Sequence, residues 1–367
     1  MVYIKDRLLE TAKNISSLNQ GFLVRAQKRL DSLTKPKGSL GRLEEIAARI
    51  VAIFENPNPS LKRKVLFVFA ADHGVAREGV SAYPQEVTSQ MVYNFLEGGA
   101  AINVLARHVG AEVVVIDAGV AEDINPGNVK KSARFKQKKV GYGTSNMLEK
   151  RAMTRKEALR SIQVGIEAFE EEHTKSPIDI VGVGEMGIAN TTASSAVLAA
   201  ITGKKPEEVT GKGTGINDEI WQKKVEVIKK ALEIHHPDID DPLDILSKVG
   251  GYEIGAIAGC ILAAASSRVP IVIDGFISTV SAILACKISP PAREFIFASH
   301  LSQEKGHRCA LEYLNLTPFL CLNMRLGEGT GAALAMFIIE AAIKLMMEME
   351  TFEEAKVSKE ILLHKGK

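Results

Sequence analysis

The chain has 367 residues, 46% of them hydrophobic and 25% charged, which is enough apolar material for a sizeable globular core. Thirty glycines and thirteen prolines exclude a collagen-like or disordered chain. With 46 Lys and Arg against 44 Asp and Glu, a net charge of +2 and only 5% aromatic residues, there is neither a field for nucleic acid or anionic lipid nor a stacking platform for single strands, and a small neutral-to-anionic substrate stays open.

The first residues, Met1-Val-Tyr-Ile-Lys-Asp-Arg, are not followed by a long apolar run, so no secretory signal is expected and a cytoplasmic location is. Up to about residue 60 apolar positions recur at intervals of three and four: Leu8, Leu9, Ala12 and Ile15, then Leu23, Ala26, Leu30 and Leu33, then Leu43, Ile46, Ala47 and Ile50. These predict a small helical subdomain, with Pro36, Gly38 and Gly41 parting its last two helices and Asn56-Pro-Asn-Pro closing it. From Lys64 short apolar runs alternate with longer helical patterns. Residues 65–70 predict a first strand and residues 85–107 one helix; residues 113–116, 178–183, 269–273 and 294–298 predict further strands, each followed by a helix. The basic run from Lys130 to Lys139 reads as a solvated loop, and residues 254–267, too short to span a bilayer, as a buried helix.

The C-terminal helical pattern, residues 331–349, carries Leu334, Ala335, Ile338, Ile339, Ala342, Leu345 and Met346 and is expected to return to the N-terminal helices; the charged tail after Glu350 is expected at the surface. Cys260, Cys286, Cys309 and Cys321 form no C-x-x-C pair and read as small core hydrophobes in a reducing compartment. Strands apolar on both faces and alternating with helices predict an α/β fold, a doubly wound, mainly parallel sheet over residues 61–330, with the small helical subdomain made by residues 1–60 and 331–367. No internal repeat is visible.

Such a sheet places its ligand at the carboxyl ends of its strands, so the residues after each strand are read together. They are Ala71-Asp72-His73-Gly74 with the run from Glu78 to Gln85, Asp117-Ala-Gly119, the run from Gly184 to Thr192, Asp274-Gly275-Phe276, Ser299-His300-Leu-Ser302, and Arg325-Leu326-Gly327-Glu328-Gly329-Thr330-Gly331. Glycines at a strand-to-helix turn let N–H groups approach a ligand, which makes Gly187 to Thr192, with Asn190 and Thr191, a candidate phosphate cradle; the same residues also suit a plain capped helix start. The turn Gly211-Lys-Gly213-Thr214-Gly215 lacks Walker A spacing, which disfavours ATP hydrolysis. Glu185 and Glu328 are two carboxylates able to act as base and electrostatic stabiliser around a developing cation, as glycosyl transfer requires, although local sequence also allows Glu185 to cap a helix and Glu328 merely to start one. His73 and His300 read as structural, and with no metal-ligand spacing no metal is expected.

Gly182-Val-Gly184-Glu-Met-Gly187 also matches the G-x-G-x-x-G dinucleotide fingerprint. The acidic residue it needs about twenty positions on would fall in Thr202-Gly-Lys-Lys-Pro-Glu207-Glu208, read as a loop. An NAD-dependent oxidoreductase and a non-catalytic nucleotide-binding module are therefore the alternatives, and neither accounts for the other strand-end segments.

Together these segments resemble the nicotinate-nucleotide:dimethylbenzimidazole phosphoribosyltransferase family. The resemblance runs from about Lys35 to the last helix and is carried by Pro36-Lys-Gly-Ser-Leu-Gly-Arg-Leu-Glu44, Ala71-Asp-His-Gly-Val, Glu78-Gly-Val-Ser-Ala-Tyr-Pro-Gln-Glu-Val-Thr88, Gly98-Gly-Ala-Ala-Ile-Asn-Val-Leu-Ala106, Gly184-Glu-Met-Gly-Ile-Ala-Asn-Thr-Thr192, Gly213-Thr-Gly215, Ile273-Asp-Gly-Phe276 and Arg325-Leu-Gly-Glu-Gly-Thr-Gly331. It implies a Rossmann-like large domain, a small domain from both chain ends, a homodimer, and transfer of 5-phosphoribose from nicotinate mononucleotide to 5,6-dimethylbenzimidazole without a cofactor, in cobalamin lower-ligand synthesis. It further implies Glu328 as catalytic base with Glu185 beside the reacting ribose. Gly187 and its loop, Lys224 and Ser302 would hold phosphate and ribose, and Ser81, Tyr83, Gln90, Met91 and Leu326 would line the base pocket. Ile216-Asn217-Asp218 departs from the family's usual two aspartates beside Lys224.

Overall fold

Every residue of β1 (Lys64–Ala71) is buried, as a strand inside a sheet covered on both faces must be. The computed structural model describes residues 2–128, 133–213 and 215–358. In it β1 pairs in parallel with β2 (Ala111–Gly119) on one side and β4 (Ile180–Met186) on the other. With β3 (Arg134–Gln137), β5 (Ile271–Ile273) and β6 (Ile296–Ala298) they form a six-stranded, wholly parallel sheet in the order β3-β2-β1-β4-β5-β6. The order reverses between β1 and β4, so the connections leaving these two strands diverge and open a crevice at their carboxyl ends.

Three helices precede the sheet, α1 (Val2–Lys13), α2 (Gln20–Ser32) and α3 (Arg42–Phe54), and α4 (Val87–Glu97), α5 (Ala101–Val109) and α6 (Arg155–Lys175) lie in the chain between β1 and β4. After β4 come α7 (Asn190–Thr202), α8 (Pro206–Val209), α9 (Asp218–His235), α10 (Pro242–Val249) and α11 (Tyr252–Ser266); α12 (Phe276–Ile288), α13 (Lys305–Tyr313) and α14 (Thr330–Glu348) complete the chain. Local chemistry sets several of their starts. Thr154 and Glu157 form a reciprocal capping box on α6, and Asn217 accepts the Ile220 N–H at 2.9 Å on α9.

Helices α6 and α11 cross at glycines. A Cβ on Gly165 would overlap the Ala256 carbonyl oxygen, and one on Gly259 that of Ile162, so the two backbones meet more closely than any side chain permits. Gly165→Ala is accordingly expected to destabilise the protein by about 1–3 kcal/mol, the usual cost of overpacking, and thermal unfolding would register it as a lowered Tm. An unchanged Tm would show that the crossing can relax.

Residues up to Ser17 and Lys62–Met336 form one compact unit; Leu18–Leu61 and the segment from Phe337 form a second. In the second, the C-terminal helix does return to the N-terminal ones: Arg29 Nη2 donates to the Met349 carbonyl at 2.9 Å and the Thr34 N–H to that of Glu350 at 3.0 Å. Lys35 and Glu44, at the two ends of the motif that opens the family resemblance, form a buried ion pair at 2.8 Å there. Helix α1 belongs to the first unit instead, packed on α6 and α11 with Leu8 and Thr11 buried, because its apolar stripe faces those helices.

Several expectations need correction. The helix over residues 85–107 is two, because Gly98 adopts the left-handed conformation (φ 84°) and its N–H closes onto the Asn94 and Phe95 carbonyls. The basic run is not a solvated loop throughout. Arg134–Gln137 adds a strand to β2, and acidic residues of α6 take its cations: Lys136 meets Glu171 at 2.6 Å and Glu172 at 2.9 Å, and Lys138 meets Glu167 at 3.0 Å. Burial raises the Glu172 carboxyl, but Lys175 and Lys136 outweigh it and hold it down at about 2. Lys139 instead pairs with Asp117 at 2.9 Å; Lys130, Lys131 and Ser132 lie outside the described residues, as do Thr214 and the tail beyond residue 358. Pro206–Val209 is a helical turn, not a loop.

Only Cys260 is a core residue, while Cys321 is exposed and Cys286 and Cys309 half-buried, since apolar neighbours in sequence do not settle which face a side chain takes. Residues 254–267 do form the buried α11. Among the described residues α14 is the one helix long and apolar enough to cross a membrane by length and composition, and 56% of that stretch is buried within the protein.

Candidate active site

Beyond the carboxyl ends of β1, β4, β5 and β6 lies a crevice of ≈ 110 Å³ walled by Ser81, Glu185, residues 187–191, Lys224, Gly275, His300, Ser302 and Leu326. Residues from segments far apart in sequence meet here, as the rule about strand ends requires.

One end is anionic. Glu185, the penultimate residue of β4, accepts a hydrogen bond from Asn190 Nδ2 and is only 7% exposed. Burial first, then the negative charges of Asp274 and Glu253, push its carboxyl up to about 8. Asp274, just beyond β5, receives the backbone N–H groups of Gly331 at 2.7 Å, Gly329 at 3.1 Å and Ala332 at 3.3 Å. Burial nevertheless raises it to about 7. These bonds pin the turn 327–329, in which Gly327, Glu328 and Gly329 have φ of 88°, 63° and 92°. Glycine adopts that region freely, whereas Glu328 is strained by roughly 1–2 kcal/mol, which its pinned neighbours must hold in place.

Glu328 is buried, and its Oε2 accepts the Ile102 N–H at 3.3 Å, so it caps the N-terminus of α5. Burial raises its carboxyl despite that bond. Its carboxylate is turned toward α5 and does not wall the crevice in this state, although its backbone N–H reaches the Glu185 carbonyl at 3.3 Å.

The other end carries a glycine turn and a buried lysine. Gly187 packs against β1 so closely that a Cβ would overlap the Ala71 carbonyl oxygen, and Ala189 takes a left-handed φ of 73° before α7 begins, so that residues 187–191 line the crevice as a tight turn. Lys224, buried on α9, donates from Nζ to Thr191 Oγ1 at 2.7 Å. Burial pulls its ammonium down to about 8 while Glu304 opposes the shift.

Of the residues read as lining a base pocket, Ser81 and Leu326 reach the crevice; Tyr83 and Gln90 are exposed and Met91 half-buried on or before α4, and these three do not wall it. Gly182 and Gly184 lie inside β4, where the first meets Leu66 and the second the backbone of residues 328–329, so the dinucleotide fingerprint is a packing device here. His73 is buried and paired with Glu253 at 2.7 Å, and Glu253 outweighs the lowering effect of burial to raise its pKa. Asp274 and His300 were gathered at strand ends by sequence but given no role in the site; only their position after a strand marked them. Among the described residues no group of three or more His, Cys, Asp or Glu side chains is arranged to hold a metal ion.

Residues 15–357 match the family described as phosphoribosyltransferase. The chain belongs to this phosphoribosyltransferase family. It is 52% identical over 354 residues to a nicotinate-nucleotide–dimethylbenzimidazole phosphoribosyltransferase of Geobacter metallireducens, covering 96% of this chain and 98% of that one. It is 51% identical over 356 residues to the protein of the same name from Chloroflexus aurantiacus, covering 97% and 100%. The crystal structure of such an enzyme from Thermus thermophilus superposes with a TM-score of 0.87 at 43% identity, covering 94% of this chain and 100% of that one. A phosphoribosyltransferase must hold a phosphate while stabilising positive charge at the sugar's anomeric carbon.

Proposed function

We propose that this phosphoribosyltransferase moves 5-phosphoribose from nicotinate mononucleotide to 5,6-dimethylbenzimidazole, giving nicotinate and α-ribazole 5′-phosphate for the lower-ligand nucleotide of cobalamin. The observation that carries the reading is the pairing, in one crevice, of a glycine turn and buried Lys224 with the carboxyl group of Glu185, whose charge state Asp274 and Glu328 influence from outside the crevice wall. The donor carries a phosphate at one end and a cationic pyridinium at the other, and it fits that polarity.

In the reaction the lone pair of one benzimidazole nitrogen attacks C1′ as the C1′–N bond to the pyridinium breaks, and the bonding pair returns to the pyridine nitrogen. Nicotinate leaves with a neutral ring nitrogen, so no strong acid is needed. The carboxylate end stabilises the oxocarbenium-like charge between the two bonds. The attacking ring becomes cationic, which acidifies its other N–H, and Glu328 takes that proton once its carboxylate turns from Ile102 toward the acceptor. Residues 187–191, Lys224 and Ser302 hold phosphate and ribose; Ser81 and Leu326, with Tyr83, Gln90 and Met91 closing over the base, receive the acceptor. The enzyme works as a cytoplasmic homodimer in this reading.

The test is incubation of the purified protein with nicotinate mononucleotide and 5,6-dimethylbenzimidazole, followed by liquid chromatography and mass spectrometry. Equimolar nicotinate and riboside phosphate are expected. A folded protein that makes neither would sink the proposal.

A further inference from the structure

The hydrogen bonds around His300 fix where its ring proton sits. Ser299 Oγ lies 2.8 Å from the Asp274 carbonyl oxygen and 3.0 Å from His300 Nδ1. A carbonyl oxygen carries no proton, so the hydroxyl donates its only hydrogen there and must accept at the second contact. Nδ1 therefore carries the ring proton, and the Asp274 carboxylate 3.8 Å away favours the same tautomer. This leaves Nε2 as a bare lone pair.

That lone pair makes no hydrogen bond among the described residues, and His300 walls the crevice together with Gly275 and Ser302, its ring edge lying against Gly275. A second chain of bonds behind it holds these neighbours in place. The Ser302 N–H donates to His307 Nδ1 at 2.8 Å, His307 Nε2–H donates to Thr279 Oγ1 at 2.9 Å, and Thr279 donates to the Gly275 carbonyl at 2.7 Å. Burial pushes His300 down to about 4, so the ring is neutral through the physiological range.

A neutral imidazole acceptor facing a substrate selects for a donor. The phosphate and the nicotinate carboxylate bring only acceptors and would be repelled. The one N–H of the benzimidazole is the proton that Glu328 removes. The hydroxyls of the ribose remain. Ser302, which holds phosphate and ribose in the proposed reading, lines the same crevice as His300 and puts it at the sugar-holding part. We propose that His300 is a specificity-determining residue whose Nε2 accepts a hydrogen bond from a hydroxyl of the transferred ribose, so that the enzyme distinguishes ribosyl from deoxyribosyl donors. This inference rests on the phosphoribosyl-transfer reading.

The experiment compares kcat/KM of the wild type, His300→Asn and His300→Gln on nicotinate mononucleotide and its 2′-deoxy and 3′-deoxy analogues. The Asn amide reaches only as far as Nδ1, so it keeps the bond to Ser299 and removes the crevice acceptor; Gln returns an acceptor oxygen near the position of Nε2. The wild type is expected to prefer the ribosyl donor over one of the two analogues by roughly ten-fold, the scale of one lost hydrogen bond. The Asn variant is expected to lose that preference and the Gln variant to recover part of it, while the ratio for the other analogue stays constant in all three. A merely structural role would lower kcat/KM on every donor alike and leave the ratios unchanged, which overturns the proposal. So does a wild type that turns over all three donors equally. A wild type with no turnover on nicotinate mononucleotide would instead reject the reaction itself, and this inference with it.

Discussion

Glu328→Gln is expected to fold and bind both substrates while its kcat falls by about 10²- to 10⁴-fold, the range of a lost general base. Gln keeps the shape of the side chain and an acceptor for the Ile102 N–H, so the cap on α5 survives. It also leaves the strained turn as it was, because the Asp274 bonds that pin it come from the backbone of Gly329, Gly331 and Ala332. What Gln cannot do is accept the benzimidazole proton. Steady-state kinetics at saturating substrates would show the loss in kcat with little change in KM. A pH profile adds an independent check. Burial raises the Glu328 carboxyl above the ordinary carboxylate value, so wild-type activity falls on the acid side as that group protonates, and the variant's residual activity lacks this limb. Near-normal turnover in the variant would reject Glu328 as the base.

Glu185→Gln is expected to act on stability and catalysis in opposite directions. The folded pKa of Glu185 is raised from 4.5 to about 8, so the folded state holds its proton more tightly than the unfolded chain does. The stability this contributes is fully present below about pH 4.5 and is lost as pH rises through about 8. The wild-type Tm without ligand should therefore decline across that window. A glutamine amide cannot ionise, so the variant's profile should be flatter and the variant more stable at pH 8.5 by roughly 2–4 kcal/mol, allowing for charge shared with Asp274 and Glu328. Its kcat/KM should drop by about 10- to 100-fold, because the negative charge facing the anomeric carbon is gone. Thermal melts at pH 5 and pH 8.5 with kinetics on the same preparations decide it. A variant less stable than wild type at pH 8.5 would mean that the Glu185 charge is not costly in the free enzyme. Such a site is destabilised until a cationic substrate arrives, and stability and rate trade against each other through this one carboxylate.

The repeating pattern of apolar runs was enough to place five of the six strands, and α11 and α14, to within a few residues, and with them the parallel sheet and the crevice at its carboxyl ends. Periodicity is a local property that each segment carries by itself. The strand it missed, Arg134–Gln137, has no apolar signature; it exists because β2 offers an open edge and Glu167, Glu171 and Glu172 of α6 neutralise its neighbouring lysines. The break at Gly98-Gly99 was written in the sequence as glycines but read through, since helical spacing continued on both sides.

The site divides in the same way. Sequence by itself determined which residues gather at the strand ends and, through the order of long motifs, the family: Glu185, Glu328 and the glycine turn were legible there, whereas Lys224 entered only through the family resemblance. Tertiary structure alone decided that the Glu328 carboxylate caps α5 in the free enzyme, that Asp274 pins the turn of residues 327–329, that Tyr83, Gln90 and Met91 stand outside the crevice, and that Ser299 fixes the ring proton of His300 on Nδ1. The physical reason is that residue type and spacing specify a group's chemistry and its element. Its burial, its charge state and the direction of its protons are set by partners brought together from distant parts of the chain.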